Sequence, residues 1–217
     1  MISFNIKRRI LMENNNSLFV IDNFYSDPDK IRDFAIKTND YIKSGYNYET
    51  RKLYYNENII NSFEKIIGEE IVVDPAGMGF GSLNYFTEDD NIHHYTHYDG
   101  AKWVALVYLV PDEFVGKGGL YICRHKKSGL IGPPDQNWLE EHDFSSFEEW
   151  KEKVYTPDQT DLKAWETTMF IGMKYNRLII KKAGEMFHRG TKGFGTHPGN
   201  SKLFHRFFFQ TKNGGQV

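Results

Sequence analysis

From Ile71 onward the apolar residues stop recurring at helical spacing and fall into short runs separated by glycine. Strands are expected at 71–74, 81–87, 94–98, 101–110, 119–124, 177–182, 185–189 and 202–210. Gly77, Gly79, Gly81, Gly118, Gly119 and Gly184 punctuate them, as residues free to turn the chain do. Many short strands joined by tight turns bury their alternating faces as a sandwich or barrel.

The segment before Ile71 is built differently. Leu18–Asp22 is short, β-branched and aromatic, and reads as a first strand. A helix then starts near Ser26-Asp27-Pro28-Asp29. Ser26 or Asp27 can cap it, Pro28 suits its first turn, and Ile31, Phe34 and Ala35 give it an apolar stripe. A second helix covers about 57–67, with Ile59, Ile60, Phe63, Ile66 and Ile67 on one side and Gly68 as its stop. Residues 51–56 between them are strand or loop. Both helices should pack outside the larger sheet.

Residues 126–161 interrupt the strand pattern. Gly129 to Asp135 is a turn-rich loop, and Phe144 to Trp150 reads as a helix capped by Ser145 or Ser146. An insertion this long is either a lid over a site or a surface excursion. The expected layout is one domain over 1–217: a strand and helices in 1–70, then a β core in 71–212 carrying the insertion.

Composition narrows the function classes. Of 217 residues, 40% are hydrophobic and 16% aromatic, enough for a sizeable core. No run of 18 apolar residues suggests a membrane span, and Met1–Arg9 lacks the apolar segment of a secretory signal. The single cysteine, Cys123, permits no internal disulfide and suits a reducing cytoplasm. A net charge of -2 gives no general reason to bind nucleic acid. One local basic cluster, Arg124-His125-Lys126-Lys127, either meets an anionic substrate or phosphate or is a solvated loop.

The stretch with the most chemistry is His93-His94-Tyr95-Thr96-His97-Tyr98-Asp99-Gly100, which holds three of the eight histidines. His97 and Asp99 are two apart, so on extended chain their side chains share a side and can converge on one metal ion. His93 and His94 precede that pair and are not chosen as ligands. A third ligand comes from His188 or His197. His188 ends an apolar run, whereas His197 sits before Pro198 in a Gly-Asn turn, and a rigid metal site is better built on strands. His188 is therefore preferred. Two histidines and one carboxylate with other positions open suit non-haem Fe(II), and zinc could use the same side chains. Lys202 and Arg206 share one side of the last strand with Phe204 and Phe208.

In this order the residues resemble the Fe(II)/2-oxoglutarate-dependent dioxygenases, and in particular the prolyl-hydroxylase-like branch with its small bacterial and phage members. The resemblance is carried by His97-Tyr98-Asp99-Gly100, Trp103 to Leu109, Gly118-Gly119, Tyr175-Asn176-Arg177-Leu178, Phe187-His188 and Lys202-Leu203. It implies a mainly β (α+β) double-stranded β-helix, a cupin-like jelly roll, with the two helices outside the sheet. It implies Fe(II) on His97, Asp99 and His188, with 2-oxoglutarate and O2 as co-substrates and hydroxylation as the outcome. Lys202 would pair with the far carboxylate of 2-oxoglutarate, Arg206 being the alternative if His197 were the ligand. Tyr85 and Tyr108 would line the 2-oxoglutarate site, and Arg124 the substrate site, while Arg177 would be structural. Asp99 argues against a halogenase, which lacks that carboxylate. The substrate would be a small molecule or a peptide. A non-catalytic cupin-like binding protein is the other class; a nucleic-acid-modifying oxygenase is disfavoured by the near-neutral charge.

Overall fold

The computed structural model describes residues 17–73, 79–90 and 94–212. Gly77, His93 and the opening Met1–Arg9 lie outside them. The protein is mainly β, with antiparallel sheets. Among the described residues the strands are β1 (Leu18–Asp22), β2 (Tyr41–Ser44), β3 (Asn47–Thr50), β4 (Ile71–Val72), β5 (Ser82–Phe86), β6 (Trp103–Tyr108), β7 (Gly119–His125), β8 (Trp165–Gly172), β9 (Arg177–Lys182), β10 (His188–Gly190) and β11 (Lys202–Thr211). The larger sheet has the order β1-β9-β6-β11-β5-β3-β2, with β4 also paired to β11; the smaller has the order β10-β7-β8. His97 adds to the smaller sheet as a single antiparallel bridge to His188. From β5 onward the chain therefore alternates. It leaves the larger sheet for His97, returns in β6, crosses for β7 and β8, returns in β9, crosses for β10 and ends in β11.

Strand alternation sorts the side chains into two layers. Between the sheets lie Tyr108, Ile179 and Phe204 from the larger and Leu120, Ile122 and Ile171 from the smaller. On the outer face of the larger sheet, Trp103, Val107, Leu178, Phe207 and Phe209 meet Phe63 and Ile67 of α2 (Glu57–Ile67). Leu83, Tyr85 and Leu203 meet Ala35 of α1 (Pro28–Lys37) on the same face. Phe63 is fully buried and packs its ring on Phe24, Phe80, Phe207 and Phe209. Both helices thus cover the larger sheet from outside, as expected.

The helix ends follow the local chemistry. The Asp27 side chain accepts from Lys30 N, Pro28 opens α1, and the Asn56 side chain accepts from Ile59 N of α2. Gly68 ends α2 at φ 76°, a left-handed conformation that costs glycine little.

Several expectations need correction. Residues 94–98 do not form a strand; His97 alone bridges. The expected strand at 185–189 is β10, at 188–190. Phe34 is not part of a buried stripe: it is exposed and touches Tyr54 edge-on, while Ala35 is the buried residue of α1. The β2–β3 hairpin and β8 are additions. The insertion is more helical than expected, with α3 (Gln136–Glu141) and α4 (Phe147–Trp150), which Ser146 caps and Lys151–Tyr155 continues as a π turn.

Candidate metal centre

Two backbone hydrogen bonds fix the ligand frame. His97 N donates to His188 O and His188 N donates to His97 O, each at 2.8 Å. Asp99 N donates to Ala183 O at 3.0 Å, tying the third residue to the segment between β9 and β10. Facing residues of such a pair put their side chains on one side of the sheet, and Asp99 follows at i+2. The imidazoles of His97 and His188 come to 4.3 Å between centroids. Ligand atoms of His97, Asp99 and His188 all lie within 4.8 Å of one another, and the three could hold a metal ion.

The rings are presented the right way round. His97 Nδ1 lies 3.1 Å from Tyr95 O, and His188 Nδ1 lies 2.9 Å from Met186 O. A carbonyl oxygen only accepts, so each Nδ1 carries the proton and each Nε2 keeps its lone pair for a metal. Those Nε2 atoms face Asp99: His97 Nε2 stands 3.7 Å from Oδ1 and His188 Nε2 3.2 Å from Oδ2. The donor set of two imidazole nitrogens and one carboxylate fits a divalent cation with positions left open.

Burial and charge act on the group together. Burial, with the neighbouring His188, pushes His97 down to about 4, so its ring is neutral at pH 7. Burial alone would raise the Asp99 carboxyl, but His188, Lys181 and His97 outweigh it and hold the carboxyl well below the usual range. Asp99 is therefore ionised, the form a metal requires.

Lys181 was missed in the sequence. It is 1% exposed on β9, with Nζ 3.7 Å from Asp99 Oδ2 and 3.3 Å from His188 Nε2, the ring nitrogen that can accept from it; the protonated Nδ1 lies 3.0 Å away. Burial brings its ammonium down to about 8, with Asp99 working the other way. In sequence it is the first half of Lys181-Lys182, which looks like a solvated strand end; only its spacing of two from Ile179, which lies between the sheets, hinted at an inward side chain.

The other expected residues separate. Lys202 is buried, with Nζ 3.1 Å from Thr191 O and 3.4 Å from Thr191 Oγ1; among the described residues no carboxylate pairs with it. Arg206 donates to Glu49 Oε2 at 2.7 Å, so its charge is already matched. Tyr108 lies buried between the sheets and faces the same layer as Phe204. Tyr85 does not join them. Its neighbour across the ladder is Leu203, one residue out of phase with Lys202, which turns it to the outer face, stacked on Tyr48 at 4.6 Å between centroids. Arg124 is exposed and pairs with Glu166 at 3.7 Å rather than with the metal group. His197 is exposed in its turn, where its Nδ1 accepts from Gly199 N. Arg177 is structural, bonded to Asp22 and Gly172 O. The basic cluster is partly consumed as well. His125 is buried between Ser128 and Asp158, and Lys126 donates to Lys163 O.

The insertion is a buttress. Tyr98 and Phe187 alternate with the ligands and point away from them, into a cluster with Trp150, Tyr155, Trp165 and Leu139. Tyr155 Oη donates to Thr96 O at 3.2 Å, and Thr96 N donates to Gln159 O at 3.0 Å. The insertion therefore grips the ligand segment from behind, and the lid expected as one alternative is not what these contacts make.

Fold and site together define a mainly β protein with a His-Asp-His group, His188 buried and His97 and Asp99 half-buried, able to hold a metal. Residues 3–192 match the model of a family of unknown function, DUF6445, and the chain belongs to that family. The matched span includes all three residues of the group and stops before β11. No curated protein matches the chain.

Proposed function

We propose that the protein is an Fe(II)- and 2-oxoglutarate-dependent oxygenase, a hydroxylase, on a double-stranded β-helix. The observation that carries this reading is the pairing of the His97-Asp99-His188 group with an unmatched buried cation, Lys202. The alternation of the chain between two antiparallel sheets supports the jelly-roll assignment. A Cβ at Gly190 would lie 3.1 Å from Lys202 Nζ, and Gly190 follows His188 by two residues on the same strand. The ammonium is thus about 7 Å along β10 from a ligand, given the rise of a strand. A five-carbon dicarboxylate can bridge that gap, with its 2-oxo acid end at the metal and its far carboxylate at Lys202.

Bound Fe(II) would supply redox activation of O2 coupled to keto-acid decarboxylation. The chain does the rest. His97, Asp99 and His188 hold the ion on one face, and Tyr95 O and Met186 O fix the tautomers. Lys202 orients the keto acid from its far end. Ile122, Ile179 and Phe204 keep the space between the sheets dry. The substrate would be a small molecule or a peptide, and the single buried cysteine fits a reducing compartment.

One observation favours a second reading. Lys181 Nζ stands 3.7 Å from Asp99 Oδ2 and can balance its charge from within the protein, as a non-catalytic cupin-like binding protein would need. Turnover separates the two. The oxygenase reading expects Fe(II)-dependent conversion of 2-oxoglutarate to succinate, lost in His97→Ala, Asp99→Ala and His188→Ala and kept in His197→Ala. Absence of both Fe(II) binding and succinate formation in the folded wild type would leave the binding-protein reading standing.

A further inference from the structure

We infer that Lys181 is an exchangeable counter-ion, pairing with Asp99 while the site lacks metal and with the metal-bound carboxylate of the keto acid once metal has taken Asp99. The inference rests on the oxygenase reading and adds a positioning residue at the end of the keto acid opposite Lys202. A fully buried ammonium needs an anion close by. Asp99, at 3.7 Å, is the one carboxylate paired with Lys181 among the described residues. A metal ion on His97, Asp99 and His188 would neutralise that carboxylate, leaving the ammonium beside His188 without its partner. Lys181 is 1% exposed, on a strand flanked by β1 and β6 in the larger sheet, so its ammonium is held away from water. An anion entering the open metal positions restores the balance. Metal and keto acid couple positively through chelation, and Lys181 should add to that coupling.

The charges divide by position. Lys202 stands at Gly190 and Thr191 and has no contact with the ligands, whereas Lys181 touches His188 and Asp99. Lys202 should therefore sense only an anion with a far carboxylate. Lys181 should sense any 2-oxo acid that chelates the metal, including pyruvate, which has no second carboxylate.

The test uses Mn(II), followed by its electron paramagnetic resonance, with pyruvate and 2-oxoglutarate as probes. Wild type, Lys181→Met, Lys181→Gln and Lys202→Met are compared, each checked for a native melting transition. In Lys181→Met, Mn(II) alone should bind about tenfold tighter, because the competing cation on Asp99 is gone. Both keto acids should bind the Mn(II)-loaded variant about tenfold weaker, a coupling of ordinary size. Lys202→Met should weaken 2-oxoglutarate and leave pyruvate unchanged. A merely structural role for Lys181 would weaken metal and keto acid together, and that result, or no change in either, overturns the inference. If Lys181→Met does not fold, Lys181→Gln and the wild type decide. A Mn(II)–pyruvate coupling about tenfold smaller in Lys181→Gln than in the wild type supports the inference, and a coupling equal in the two overturns it. A wild type that binds no Mn(II) overturns the oxygenase reading and this inference with it. Mn(II) and 2-oxoglutarate binding that is indifferent to Lys181 overturns the inference alone.

Discussion

Gly190 leaves room for the ammonium of Lys202: a Cβ at Gly190 would stand 3.1 Å from Lys202 Nζ, and a larger side chain would occupy its place. Gly190 lies on a strand, on the same side as His188, so glycine serves here by having no side chain. Gly190→Val should therefore keep the strand, since valine favours extended chain. It should displace the ammonium and weaken 2-oxoglutarate by at least about tenfold, or about 1.4 kcal/mol. Mn(II) affinity should hold. Titration calorimetry of the Mn(II)-loaded variant checks this, and unaltered keto-acid affinity would remove Lys202 as the anchor.

Lys202 and Arg206 share a strand face but differ in partner. Glu49 already neutralises Arg206, while Lys202 has a carbonyl and a hydroxyl. Lys202→Met should cost 2-oxoglutarate binding about 2–5 kcal/mol, the range for losing one partner of a buried charge pair. Lys202→Arg should recover part of it, as the planar guanidinium needs more room. Arg206→Met should leave keto-acid affinity alone and lower the melting temperature, because it strands the Glu49 carboxylate. If only Arg206→Met weakened 2-oxoglutarate, the assignment would pass to Arg206.

The triad was legible in the sequence because each of its parts is local. His97-x-Asp99 converges because residues two apart on extended chain share a side, and His188 opens a short strand after the apolar Met186-Phe187. The caps at Asp27, Asn56 and Gly68 are local in the same way. Lys181 was not legible, because burial of a lysine is decided by what lies across the sheet. Tyr85 failed for a related reason: the ladder that pairs it with Leu203 instead of Lys202 is a long-range register. The β2–β3 hairpin has a half-polar sequence turned at Gly45, φ 58°, and carries no clear alternation. Strand β8 is an edge, and its exposed Glu166, Thr167 and Thr168 separate the buried Trp165 from the buried Ile171, so no regular alternation marked it.

The insertion's grip on the ligand segment gives a prediction at a distance. Trp150 is 1% exposed and packs with Tyr155 and Phe187, whose next residue is the ligand His188. Trp150→Ala should cost about 3–5 kcal/mol, as large-to-small changes of buried aromatics do. It should also weaken Mn(II) binding without touching a ligand. Ile131→Ala, at an exposed side chain in the same insertion, should change neither. Denaturant titration and metal titration of the two variants separate the cases, and Mn(II) affinity unchanged in folded Trp150→Ala would mean the buttress does not position the ligands.

Acid should weaken the fold through His205, far from the proposed chemistry on the helix side of the larger sheet. The ring is 3% exposed, its Nε2 lies 3.1 Å from Gly81 O and its Nδ1 lies 2.9 Å from Tyr25 Oη. Nε2 must donate to the carbonyl, so Nδ1 accepts from the tyrosine and the neutral ring satisfies both. Burial lowers His205 to about 4, against 6.5 in the unfolded chain. Between those two pH values the unfolded chain binds the proton that the folded one refuses, so stability rises with pH across that window. The contribution is complete above about 6.5 and is lost as pH falls through about 4. At 1.36 kcal/mol per pH unit it amounts to about 3 kcal/mol. His205→Gln keeps polar atoms in place and cannot titrate. Its stability at pH 7 should be lower than that of the wild type, because one of the two hydrogen bonds will be imperfect. The difference between the two proteins should shrink on acidification from pH 7 to pH 4, while other titrating groups cancel in the subtraction. Urea denaturation of both proteins at half-unit pH intervals measures that difference directly. A difference that stays constant from pH 7 to pH 4 would mean that His205 takes up its proton in the folded protein as readily as in the unfolded one.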